Sequence, residues 1–111
     1  MTDLMQEKNT LTAQLNTAVR KLRETGTACA EAEKQYKILL RQECLKLRDD
    51  GMAIGMIDKV CFGIPSVAEA RFKRDVAETV YKANQEAINS TKLQLRIVEG
   101  QIQREWSGTG E

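Results

Sequence analysis

Three cysteines and no histidine limit the chemistry open to this chain. Cys29, Cys44 and Cys61 are separated by 15 and 17 residues, spacings that match no zinc or dithiol motif. Without histidine, the usual base for a serine or cysteine nucleophile is missing. The carboxylates of Glu31 and Glu33 alternate with Lys34 and Lys37, and those of Glu69, Asp75 and Glu78 with Lys73 and Arg74. Opposite charges at these helical spacings form solvated faces with weak i,i+4 pairs. Glu31, Glu33 and Glu43 do not fall in the arrangement that builds a di-metal site inside a bundle. No glycine-rich phosphate loop follows a strand. The expectation is a chain with no catalytic residue, no cofactor, no metal and no small-molecule substrate: a non-enzyme.

The other chemistry to weigh is recognition of nucleic acid. Arg71, Lys73 and Arg74 form a basic cluster. Residues 45–75 can be laid out as helix, short helix, Gly63 turn and third helix, the order of a helix-turn-helix. The buried positions do not fit, because Lys59 and Glu69 fall where that motif packs small or β-branched apolar residues. Charge also argues against it: 17 basic residues face 16 acidic ones. Pro65 divides them into 10 and 9 before it, and 7 and 7 after it, so neither part neutralises phosphates in bulk. Nucleic-acid binding is the disfavoured alternative.

These residues must be positioned by helices. Leu4, Leu11, Leu15, Ala18, Leu22, Cys29, Ala32, Tyr36 and Leu39 recur at steps of three, four and seven, with Lys8, Thr25, Glu43 and Lys46 in the same register. A second seam runs through Ala77, Tyr81, Asn84, Ile88, Thr91, Leu95, Val98, Ile102 and Trp106. A single proline, five aromatics and 30% charged residues suit a helical fold and not a β one. The pattern predicts an all-α chain of one domain over residues 1–106: a long antiparallel, coiled-coil-like helical hairpin with a short helix at its hinge. Helix one runs over about 3–48, the hinge helix over about 53–61 and helix two over about 66–106, followed by a flexible tail at 107–111. Gly26 reads as a tolerated or close-packing glycine, a kink being the lesser possibility. Ser66 and Glu69 read as a capping box opening helix two. Asn84 and Thr91 on the seam either fix its register or lie at a solvated edge. Closure near residue 57 would set Tyr36 against Ala77–Tyr81 and Leu22 against Leu95.

Residues around the hinge are apolar. A globular head is expected there, formed by the hinge helix with Ile38, Leu45, Leu47, Phe72 and Val76. Met52, Ile54, Met56 and Phe62, with the Arg71, Lys73 and Arg74 flank, are the candidate contacts for a protein partner. Methionine adapts to a partner's shape, although methionines in such a pattern are more often plain core. Helix two also carries more apolar surface than one helix covers: Val76, Val80, Ala83, Ala87, Ser90, Leu93 and Ile97 form a stripe beside its seam. Such a stripe predicts a homodimer forming a four-helix bundle, unless helix one curls to cover both faces. No apolar run is long enough to span a membrane. The odd cysteine count and the lack of a secretory leader point to reduced thiols in a cytoplasm.

Several segments resemble a known group. They are Ala30-Glu31-Ala32-Glu33 with Tyr36, Leu47-Arg48-Asp49-Asp50-Gly51-Met52, the stretch from Ala70 to Glu78, Gln85-Glu86-Ala87-Ile88-Asn89, and the stretch from Leu95 to Trp106. Together they are similar to small, uncharacterised helical proteins encoded by phages and prophages of Gram-positive bacteria. The resemblance implies a short, non-secreted protein acting in a bacterial host cell and encoded among early genes for DNA handling. It lends no catalytic residues. It implies either a modulator of a host protein, such as an inhibitor of a defence component, or an accessory factor in phage replication and recombination.

Overall fold

A computed structural model describes residues 2–109. The order is α1 (Thr2–Asp49), α2 (Ile54–Val60), a 3-10 turn (Cys61–Gly63) and α3 (Pro65–Thr109). Every element among the described residues is helical, as the two periodic seams require. The chain divides into two compact units, one made of the residues up to Glu24 with those from Lys82 on, the other running from Thr25 to Tyr81.

The Thr25–Tyr81 unit is a helical hairpin. Its α1 segment ends in a Schellman motif, with Met52 N–H donating to the Leu47 carbonyl at 3.0 Å and Gly51 N–H to the Arg48 carbonyl at 3.0 Å. Gly51 takes φ +88, a left-handed conformation that glycine adopts without a Cβ penalty. The 3-10 turn ends at Ile64, which is extended (φ −65, ψ 127) because the ring of Pro65 disfavours helical backbone before it. The first bond of α3 runs from Ala68 N–H to the Ile64 carbonyl at 2.9 Å. Ile64 is therefore the N-cap and Pro65 the first helical residue, the position proline favours because its missing N–H needs no partner there. This corrects the expected capping box: Ser66 already lies inside the helix, and exposed.

Tyr36, Val67 and Ala70 form the core of this unit, with Leu39, Leu40 and Ile64 packed against them. Val67 is 0% exposed. Glu33 faces Arg74 and Gly26 faces Tyr81, so the two helix segments are antiparallel and fold about a point near Ala53. Closure is thus earlier than expected, and Tyr36 meets Ala70 and Arg74 instead of Ala77–Tyr81. The reason is that α1 runs past the start of α3. Ile57 and Cys61 are buried, and the Cys61 thiol meets Cys44 near the end of α1. The head is correspondingly thinner than expected. Leu47 is half-buried, but Ile38, Leu45, Phe72 and Val76 keep between 41% and 62% of their surface in solvent.

In the other unit, Leu11, Ile88 and Val98 are buried, and Leu15, Ala18, Leu22, Asn84 and Leu95 are half-buried along the two seams. Asn84 Nδ2 donates to the Ala18 carbonyl at 3.0 Å, the cross-helix bond that a register-fixing residue makes. Thr91 instead returns its hydroxyl to the Ala87 carbonyl of its own helix at 2.8 Å. Trp106, placed on the seam by its spacing, is 66% exposed. The helix continues through Ser107 and Gly108 to Thr109, where a flexible tail was expected; Gly110 and Glu111 lie outside the described residues.

Candidate interaction surfaces

At the hinge end, the short α2 divides its side chains sharply. Ile57 points into the fold, while Ile54 is 70% and Met56 50% exposed. Phe62 on the 3-10 turn is 45% exposed. Met56 and Val60 lie one turn apart, and Val60 is also exposed. Sequence reading missed Val60, although its i+4 spacing from Met56 was the available signal. Met52 is half-buried and belongs to the fold more than to the surface. Ile38 and Leu45 of α1, two turns apart on one face, add further exposed apolar area to this unit.

The three basic residues of the cluster make separate contacts. Arg71 places its guanidinium 5.5 Å from the Phe62 ring centroid. Arg74 stacks at 4.4 Å over the Tyr36 ring. Its Nη2 lies 2.9 Å from Asp75 Oδ1, and its Nε lies 3.7 Å from Glu33 Oε2. The hydrogen bond to Asp75 is the main cause holding this guanidinium above its ordinary pKa, and the two carboxylates and the ring engage its charge within the fold. Lys73 lies one residue, and so 100° around the helix, from Arg74. It borders a groove on another flank.

That groove has a volume of about 630 Å³ and lies between the α1 and α3 segments of the hairpin unit. Ala32, Leu39 and Ala70 are buried or half-buried and make its floor, while Glu31, Glu69 and Lys73 stand exposed around it. The small side chains of Ala32 on the α1 seam and Ala28 one turn before it leave the space open. Along α3, Glu69, Lys73, Val76 and Val80 share a flank at spacings of four, three and four. Val76 and Val80 are exposed, and so in the other unit are Ala83, Ala87, Ser90, Leu93 and Ile97.

Two cysteines come together in the hairpin unit. The Cys44 thiol is raised above its ordinary pKa of 9.0, first by burial and then by its hydrogen bond to Cys61 and the nearby Asp58 carboxylate. A thiol held protonated is a poor nucleophile, which counts against reactivity at Cys44, while Cys61 is buried with its Sγ donating to the Asp58 carbonyl at 3.9 Å. Among the described residues, no three cysteine or acidic side chains gather as a metal ion would require. No described helix is long and apolar enough to cross a membrane. No protein-family model matches this chain, and no curated protein or solved structure is significantly similar to it.

Proposed function

We propose that this chain is a non-enzymatic helical protein that self-associates and binds a protein partner through its hinge end. In the context implied by the phage-type segments, the partner is a host or phage protein whose activity it modulates, an inhibited defence component being one such case. The observation that carries the reading is the α2 surface, where Ile54, Met56 and Phe62 stand in solvent within nine residues of chain. Folding leaves such apolar clusters exposed where a partner covers them. A short helix with one buried residue presents them at low cost, because Ile57 and Cys61 already anchor it.

Self-association rests on the exposed α3 residues, Val76 and Val80 in one unit and Leu93 and Ile97 in the other. A homodimer is the simplest symmetric way to cover them. The alternative, a nucleic-acid accessory factor using Arg71, Lys73 and Arg74, draws less support, because Arg74 is paired with Asp75 and Glu33 and stacked on Tyr36. The test is affinity capture from a Gram-positive bacterial lysate with the wild-type chain and with Met56→Glu. Met56 is half-exposed, so the variant keeps its fold. A protein retained by the wild type and lost by the variant supports the hinge contact; identical captured sets refute it.

A further inference from the structure

We infer that the groove of the hairpin unit seats the α3 flank of a second copy, with Glu69 of each copy against Lys73 of the other. This assignment rests on the self-association reading and specifies where the contact lies. Four observations converge. The groove is apolar at its floor and charged only at its exposed edge. Small-molecule sites enclose the few polar groups that orient the ligand, whereas the polar residues lining this groove, Glu31, Gln35, Ser66, Glu69 and Lys73, are all exposed. Both Glu69 and Lys73 are exposed, and among the described residues neither takes part in an ion pair, although Glu33, Lys37, Glu43, Lys46 and Arg74 all do. Val76 and Val80 continue the same flank and need cover.

Symmetry selects the occupant. A two-fold contact places residue i of one copy on residue j of the other, and j on i. Glu69 and Lys73 are opposite charges one turn apart, so an antiparallel crossing centred on that turn brings each glutamate onto the other copy's lysine. A parallel crossing would set glutamate on glutamate and lysine on lysine. A foreign helix would need its own lysine and glutamate at the matching interval; a second copy carries both by construction. The same crossing lays each copy's valine flank toward the other's groove, so that two helix pairs pack face to face around shared apolar surface.

The experiment is light scattering with sedimentation over a concentration series, on the full-length chain, comparing wild type with Glu69→Lys, Lys73→Glu and the double exchange. Each single reversal sets like charges opposite one another at both ends of the crossing, and should weaken the dimer tenfold or more. The double exchange should return its dissociation constant to within about threefold of wild type. Circular dichroism checks that helix content is unchanged. Should a reversal unfold the chain, a second measurement still decides. Mixed ¹⁴N and ¹⁵N chains treated with a carbodiimide should yield a Glu69–Lys73 amide joining light to heavy peptides. A wild-type dimer indifferent to both reversals, or lacking that mixed cross-link, overturns the assignment and leaves self-association standing. A wild-type chain that stays monomeric at all concentrations overturns both.

Discussion

Gly26 tests how closely the hairpin is packed. A Cβ built on it would lie 3.1 Å from Tyr81 Cε1, 3.5 Å from Cζ and 3.7 Å from Cδ1. Two effects oppose each other when Gly26 becomes alanine. Relief of backbone entropy in a helix interior favours alanine by about 1 kcal/mol. The new methyl must also push the ring edge back by roughly 0.4 Å to reach an ordinary carbon contact of about 3.5 Å. The contacted atoms are the far end of a half-buried side chain, so the ring yields by a small change of its torsions, at a cost of about 0.5 kcal/mol, the low end for an off-rotamer side chain. Gly26→Ala should therefore stabilise the wild-type chain by only about 0.5 kcal/mol, the difference of the two. With Tyr81→Leu, which removes the ring edge, the same change should yield the full value of about 1 kcal/mol. Equilibrium denaturant unfolding of all four chains, at one fixed protein concentration, measures the coupling directly. An identical gain in both backgrounds would show that the ring does not limit the approach of the helices, and the close-packing argument would fall.

Asn84→Ala should destabilise the chain by about 1 kcal/mol, because it removes a cross-helix hydrogen bond from a half-buried amide. Thr91→Ala should change stability by no more than a few tenths, since its hydroxyl bonds only its own helix; equal losses in denaturant unfolding would contradict this division. The raised Cys44 thiol gives a pH prediction with a definite sign. The folded chain keeps a proton that the unfolded chain releases above its ordinary value of 9.0, so stability present below that pH is lost as pH rises through the folded value. The Cys44 ¹³Cβ resonance should titrate at higher pH in the folded chain than in the denatured one; coincident titrations would refute the burial and hydrogen bonding argued for this thiol.

The long helices were legible because a seam repeated over a dozen turns is a strong periodic signal, and Tyr36, Leu11, Ile88 and Val98 lie buried on it. The stop at Gly51 and the turn before Pro65 were legible for the same local reason: left-handed backbone favours glycine, and proline restricts its predecessor. The exposed second stripe of α3 was legible as apolar residues in excess of what one neighbouring helix covers. Register was not. A seam of near-uniform leucine and alanine permits several sliding positions, and only the three-dimensional packing of Tyr36 on Ala70 and of Gly26 on Tyr81 selects closure near Ala53. That choice decides the rest: it leaves the last turns of α1 to α2, turns Phe72 and Ile38 outward, commits Arg74 to Tyr36, and opens a groove beside Glu69 and Lys73. The amino-acid sequence alone determined which surfaces are greasy and which residues end the helices, since both follow from local backbone and solvent preferences. Tertiary structure alone decided which of those surfaces remain uncovered, because that depends on where two helices meet, and many weak contacts sum to fix it.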